Sequence, residues 1–544
     1  MESHRILDMI SSPADLKLLT NEELSILASE IREQIITTTS KTGGHVAPSL
    51  GVVELILACH SVLDCPHDKL LFDVGHQSYA HKLVTGRLGE FDTLRQFGGM
   101  SGFPKASESE YDVHPSGHAS DSVSVALGLA MARDLNGGDE KIVTIIGDAS
   151  LSGGMAFEAL NQLGQLQTPM VIILNDNEMS ISRNVGALAR YLGEKRASRE
   201  YTRTRDSVQS VLEASGPLGR GLVDLGRNAK DSFKQMVIPG EMLFEKLGIT
   251  CTAPIPGHDI AALKRALRVC LKADGPTLLH VVTKKGKGYK PAEENPSKFH
   301  GIGPYDIATG EVKKGSSSAP KYTSVFSKAI VAEAERDHDI VAITAAMKDG
   351  TGLAAFSEKF PKRFIDTGIA EEHAVALASG LALGGKKPVV CIYSTFMQRA
   401  FDQLVINNAL ANTNVVFCLD RAGLVGDDGP THHGVFDIAY GRMVPGVRMM
   451  VPSDEAELVH MLHTALALEG PVILRWPRGE ARGVELPAVP QVLEEGKSRT
   501  TREGSDVAIL AFGRMVQEAE GAADILAKEG VSVVHVRLPA QLVG

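Results

Sequence analysis

An α/β protein with parallel sheets follows from two patterns in the 544 residues. Short apolar runs without alternation recur: "IVTIIG" (142–147), "MVIILN" (170–175), "TLLHVV" (277–282), "IVAITA" (340–345), "PVVCIY" (388–393), "NVVFCL" (414–419), "VILRW" (472–476), "DVAILAF" (506–512) and "VSVVHV" (531–536). Strands buried on both faces read this way, because neither face meets water. Stretches of helical pattern separate the runs, and a repeating strand–helix–strand order marks parallel sheets covered by helices. Abundant glycine (54 residues) and a single tryptophan, Trp476, suit tight strand-to-helix turns.

At about 150 residues per domain, the length implies three or four units. A first domain is expected over 1–310, with a polar, initially basic excursion at 184–240 ("RYLGEKRASREYTRTRDS") read as a mobile insert. "EVKKGSSSAPK" (311–321) has linker composition, and a middle domain follows over 322–490. "VELPAVPQVLEEGKSRTTREGS" (484–504) reads as a connector. The remainder, 491–544, holds a strand, a helix and a strand, too little for an independent core.

A net charge of −10 argues against nucleic acid as the main partner. The six cysteines form no CxxC pair, and several lie in apolar runs, as buried free thiols would. The N-terminal stretch has neither signal- nor transit-peptide character, and no apolar run approaches the ~18 residues of a membrane span. A cytoplasmic location is expected.

Two constellations carry chemistry. After the strand ending "TIIGD", Asp148 precedes "ASLSGGMAFEALNQL", where serines and glycines open a helical pattern suited to seating phosphates. Asn177 follows the next strand in "VIILNDNEMS", so a carboxylate and an amide oxygen can meet at one sheet edge, as magnesium favours. A helix-capping role for Asp148 is the alternative. In the middle domain, "DTGIAEEHAVALASGLALGG" places Glu371 and Glu372 at a helix start. Adjacent helical residues point about 100° apart, so one acid can face a site, and pattern alone does not choose.

Strand–GD–helix–strand–N resembles the fingerprint of thiamine diphosphate enzymes. Longer stretches resemble one family, the 1-deoxy-D-xylulose-5-phosphate synthases of transketolase type: "GGHVAPSLGVVEL", "DVGHQSYAHKLVTGR", "GFPKASESEYD", "KGKGYKPAEENPSKFHG", "IYSTFMQRAFDQL", "DRAGLVGDDGPTHHG" and "WPRG". The resemblance spans about residues 5 to 540. It implies two thiamine-diphosphate-binding-type α/β domains and a partial third, the usual family chain continuing further. It also implies a homodimer that condenses pyruvate with D-glyceraldehyde 3-phosphate, using thiamine diphosphate and Mg2+.

By motif, the resemblance assigns Asp148 and Asn177 to the metal, and Glu371 to activating the cofactor. It assigns His76, Gly117, His118, Ala119, Ala149, Ser150, Met179, Tyr289 and Phe396 to cofactor contacts. Tyr393, Arg399, Arg421, Asp428 and Arg478 fall to the substrate, with Arg475 competing for its phosphate. His45, His300 and His432, in glycine-bearing loops, would hold the pyruvate carboxylate, stabilise an oxyanion and move protons. His81 and His433 keep structural roles. The chain departs from the family in having Ala149 for a glycine, tolerable if its φ is negative, and "APIPGHD" where an acid usually precedes the glycine. Another transketolase-like enzyme, or a silent relative serving as an assembly subunit, are the alternative readings.

Overall fold

A computed structural model describes residues 5–177, 179, 184–197, 243–313, 319–537 and 541–543. Most of the expected insert, 198–240, lies outside the described residues. The chain divides into two compact units, Met1–Lys314 with Asp427–Gly429, and Gly315–Gly426 with Pro430–Gly544.

The first unit is built on strands β1 (Lys69–Phe72), β2 (Ile142–Gly147), β3 (Val171–Asp176), β4 (Thr250–Cys251), β5 (Ile255–Pro256) and β6 (Thr277–Val282). Their order is β1-β2-β3-β6-β4, with β5 also on β6, and every pairing is parallel. Successive residues of β2 serve opposite faces, as pleating requires. Ile142 and Ile146 pack with Val123, Leu127, Leu160 and Leu163 of helices Ser122–Asn136 and Gly154–Leu166. Val143 and Ile145 join the other face, whose core includes Ile31, Ile56 and Leu263 from helices Asn21–Thr42, Val53–Val62 and Ile260–Cys270. Both faces are therefore dry, which explains the unalternated apolar runs. The long helix Asn21–Thr42 begins at a capping box: the Thr20 hydroxyl accepts the Glu23 amide, and the Glu23 carboxylate accepts the Thr20 amide at 2.8 Å.

The second unit repeats the scheme with β7 (Ile340–Thr344), β8 (Phe364–Asp366), β9 (Lys387–Tyr393), β10 (Val416–Asp420), β11 (Arg448–Met450) and β12 (Val472–Arg475). These six pair in parallel in the order β11-β12-β10-β9-β7-β8. One face packs on helices Tyr322–Arg336 and Glu455–Ala467, where Trp476 stacks on Phe326 with ring centres 4.6 Å apart. The other packs on helix Glu371–Leu383.

The last elements are β13 (Arg499–Arg502), β14 (Val507–Ala511), helix Met515–Lys528, β15 (Val533–Arg537) and β16 (Gln541–Val543). β15 pairs in parallel with β14 and antiparallel with β13, whereas β16 extends the larger sheet antiparallel to β11. The stretch 484–504 thus contains a strand where a connector was expected. Its sequence, RTTR, is polar because it forms an exposed edge. Strands β1, β4, β5, β8, β11 and β16 were not foreseen either, since two to four residues make no periodic signal.

All six cysteines are free; five are buried and Cys65 is half-buried. Burial pushes the Cys65 and Cys270 thiols up to about 12. Ellman's reagent at pH 8 is expected to find less than one fast-reacting thiol in the native protein and six after unfolding. Two or more fast native thiols would contradict this packing.

Candidate functional site

In the first unit, Gly147 of β2 lies opposite Asn175 of β3, so both strands end at one edge of the sheet. Asp148 and Asn177 follow those ends directly, and the Asp148 amide donates to the Asn175 carbonyl at 3.3 Å. The Asp148 carboxylate accepts the Ala149 amide at 3.1 Å and the Asn184 side-chain amide at 2.8 Å. Asn177 Oδ1 accepts the Met179 amide at 3.1 Å. Nearby, Asn184 Oδ1 is buried without a hydrogen-bond partner. A carboxylate and amide oxygens at one edge, one of them orphaned, are a hard donor set of the kind Mg2+ takes. Asn184 carried no sequence signal, lying in the segment read as an insert.

Ala149 has φ −68° and ψ −44°, an ordinary helical conformation, so alanine is unstrained there. It leads into the turn Ser150–Ser152 ahead of helix Gly154–Leu166. Opposite, the loop with Gly117, His118 and Ala119 reaches Ser120, whose φ of 76° is costly for a residue with a Cβ. The buried Asp73 carboxylate holds it by accepting the Ser120 amide at 2.9 Å and the Ser122 amide at 3.3 Å. The Ser120 hydroxyl donates in turn to the Ser150 carbonyl at 2.7 Å. Asp73 was missed in the sequence, although "KLLFDVGH" repeats the pattern of an acid after an apolar run that marked Asp148.

Three candidate histidines of this unit cluster. His45, His76 and His300 have ring centres 5.0–6.1 Å apart, and Phe103 lies 5.1 Å from His45. The Tyr79 hydroxyl accepts the His45 amide at 3.0 Å. Burial pushes the His300 pKa well down, so its imidazole is neutral and Nδ1 can accept from Lys285 Nζ at 3.1 Å. Burial also lowers Lys285 to about 7, against the opposing pull of Asp148. Lys285 sits inside the quoted "KGKGYKP" but was not singled out, because one lysine among several has no pattern. The Tyr289 hydroxyl donates to the Ile307 carbonyl at 2.8 Å, and its ring packs with Phe299 and Tyr305. Asp428 belongs to this unit: it accepts from Arg95 at 2.6 Å and lies 3.9 Å from His45 Nε2. His81 is buried between His60 and Asp112, a structural setting.

In the second unit, the helix Glu371–Leu383 opens with a buried Glu371, 2% exposed, while Glu372 is half-buried. Glu371 Oε2 has no hydrogen-bond partner, and Arg399 comes only to 3.8 Å. Burial raises its carboxyl to about 7, although Arg399 pulls it down. Tyr393 stacks on Phe396, which meets His432 edge-on at 5.5 Å. The Arg421 guanidinium lies 3.6 Å over the Tyr393 ring. Gly350 admits this tyrosine: a Cβ there would fall 1.6 Å from the Tyr393 hydroxyl. Arg475 is committed to the buried Asp437, with Nε donating at 2.7 Å, whereas Arg478 donates to the Val425 carbonyl at 3.3 Å. His433 accepts the Val425 amide and so serves the loop.

Comparison with known proteins agrees along the chain. Residues 7–283 match the family described as 1-deoxy-D-xylulose-5-phosphate synthase. Residues 318–484 match the transketolase pyrimidine binding domain, and 496–540 the transketolase C-terminal domain. The 1-deoxy-D-xylulose-5-phosphate synthase of Syntrophomonas wolfei is 51% identical over 532 residues, covering 98% of this chain and 83% of its own. That of Desulforudis audaxviator is 52% identical over 534 residues, covering 98% and 84%. A transketolase structure from Campylobacter jejuni aligns over 94% of this chain and 88% of its own, at 18% identity and a TM-score of 0.39.

The Glu371 carboxyl has a direct consequence for stability. Its pKa is raised from 4.5 to about 7, so its contribution is fully present below about pH 4.5 and lost as pH rises through about 7. Glu371→Gln removes that loss. The variant is expected to gain up to about 3 kcal/mol on the parent between pH 5 and pH 8. Parallel thermal melts at the two pH values check this, and an equal effect at both would contradict a buried neutral carboxyl.

Proposed function

The chain belongs to the 1-deoxy-D-xylulose-5-phosphate synthase family, and from that premise we propose how its residues carry the reaction. The reaction is a transketolase-type transfer: pyruvate condenses with D-glyceraldehyde 3-phosphate, losing carbon dioxide, to give 1-deoxy-D-xylulose 5-phosphate. Thiamine diphosphate, when bound, supplies the nucleophilic carbon and the electron sink for the decarboxylation. No helix among the described residues is long and apolar enough to cross a membrane. A cytoplasmic homodimer belongs to the same reading.

One observation carries the assignment of roles: the buried, unpartnered Oε2 of Glu371 on a carboxyl raised to about 7. Such a group keeps its proton near neutral pH and can lend it to a ring nitrogen of the cofactor's aminopyrimidine. Phe396 flanks that ring. Asp148 and Asn177 hold Mg2+, and Gly117, His118, Ala119, Ala149, Ser150 and Met179 line the diphosphate side with His76 and Tyr289. Lys285 adds a buried amine that the same anion would hold protonated.

His45, His300 and His432 exchange protons with substrate oxygens. The neutral imidazole of His300 accepts, and Lys285 orients it through Nδ1. Tyr393 and Arg421 form a stacked wall for the substrate, Asp428 binds an acceptor hydroxyl, and Arg478 binds the acceptor phosphate. Arg475 is the poorer phosphate ligand because Asp437 already neutralises it. Arg399, beside Glu371, contributes positive charge both to the substrate and to the tuning of that carboxyl.

Titration calorimetry with thiamine diphosphate and Mg2+ tests these roles. Asp148→Ala is expected to abolish Mg2+-dependent binding, and unchanged affinity would rule out the metal assignment. Glu371→Ala is expected to bind the cofactor and lose turnover by about 100-fold or more. A normal rate would move the proton-holding role to another residue.

A further inference from the structure

The turn that presents Lys285 is held by side chains that no step above uses. It runs from Lys284 to Tyr289, between β6 and the short helix Lys290–Glu294. Gly286 and Gly288 bend it with φ of 79° and 86°. A Cβ on Gly286 would meet the Ala292 carbonyl carbon at 2.6 Å, and one on Gly288 would meet Arg32 Cδ at 2.8 Å. The backbone is thus pressed against its supports, with no room for a side chain at either bend.

Arg32, from helix Asn21–Thr42, donates Nε–H to the Lys287 carbonyl at 2.9 Å. Its other arm donates to Glu54 Oε2 at 2.6 Å and to the Leu50 carbonyl at 3.2 Å. Glu54 Oε2 also meets His258 Nδ1 at 3.1 Å. His258 lies in the "PGHD" loop after β5, and its Nε2 faces the Lys284 amide at 2.9 Å. Burial pushes the Glu54 carboxyl up, but the bonds from His258 and Arg32 outweigh it and hold the group at about 2. Glu54 is therefore a permanent carboxylate.

The tautomer of His258 follows from its partners. A backbone amide can only donate, so Nε2 accepts, and the ring proton sits on Nδ1, where Glu54 accepts it. The result is a chain from Arg32 through Glu54 and His258 to the Lys284 amide, one residue before the buried Lys285. Carboxylate–histidine pairs orient metal-bound histidines in the same manner. Here the oriented group is a strand-to-turn junction.

We propose that His258, set by Glu54 and Arg32, is a positioning residue that fixes the Lys284 amide and thereby aims Lys285 at the cofactor's diphosphate. The inference rests on the reading of the first unit as a thiamine diphosphate site. His258 touches no reacting atom, so its loss acts on cofactor affinity and leaves the turnover of the loaded enzyme near that of the parent.

Three substitutions separate positioning from simple support of the fold. The Gln side chain places a carbonyl oxygen where imidazole Nε2 stood, so His258→Gln keeps an acceptor for the Lys284 amide. The Asn side chain reaches only as far as Nδ1, so His258→Asn keeps the contact with Glu54 and loses the acceptor. His258→Ala loses both. Calorimetric affinity for thiamine diphosphate with Mg2+ is measured on the full chain, beside melting temperature and kcat at saturating cofactor.

The expected order is a loss of about 10-fold or more for Ala and Asn, with Gln within about threefold of the parent. Two results overturn the proposal: unchanged affinity in His258→Ala, or Gln as weak as Ala at an unchanged melting temperature. A parent protein that binds no thiamine diphosphate at all would instead overturn the underlying site assignment.

Discussion

Both main sheets are dry on both faces, and this constraint decides where polar chemistry can go. A charge inside β2, β3, β9 or β10 would face a helix and pay the full cost of burial. The polar residues gather instead where the strands stop. Asp148 follows β2, Asn177 follows β3, Tyr393 closes β9, and Arg421 follows β10. Parallel pairing brings the ends of neighbouring strands to the same edge, so residues distant in sequence become neighbours without any special device. Each unit uses this rule separately.

Electrostatics then distinguishes the two units. The first collects groups suited to an anion: helix and turn amides, a buried lysine, and the neutral His300 that accepts from it. Asp148 opposes the effect of burial on that lysine. The second keeps one carboxyl away from water at a helix head and leaves Arg399 too far for a tight pair. A closer ion pair would have driven Glu371 toward an ordinary acidic pKa and removed its proton near neutral pH.

Much of this was legible in the sequence. All nine apolar runs became strands; those of the two main sheets are buried, whereas β14 keeps Val507 and Leu510 exposed. Asp148 and Asn177 were legible because strand ends announce themselves. Pattern left Glu371 and Glu372 open and the resemblance chose Glu371; the helix buries only that one. Arg475 pairs with Asp437, 38 residues earlier, a contact that no sequence spacing announces. Asp73 had the same signal as Asp148 and was missed, whereas Lys285 and the Arg32–Glu54–His258 chain were not legible, since their partners come from distant segments. The edge strand β13 was hidden by its polarity.

The central claim is that these two sets of residues perform one condensation. Mass spectrometry of a reaction containing the protein, thiamine diphosphate, Mg2+, pyruvate and D-glyceraldehyde 3-phosphate tests it most directly. The account predicts 1-deoxy-D-xylulose 5-phosphate when all five are present, and none when any one is withheld. Tight cofactor binding with no product from the complete mixture would contradict it.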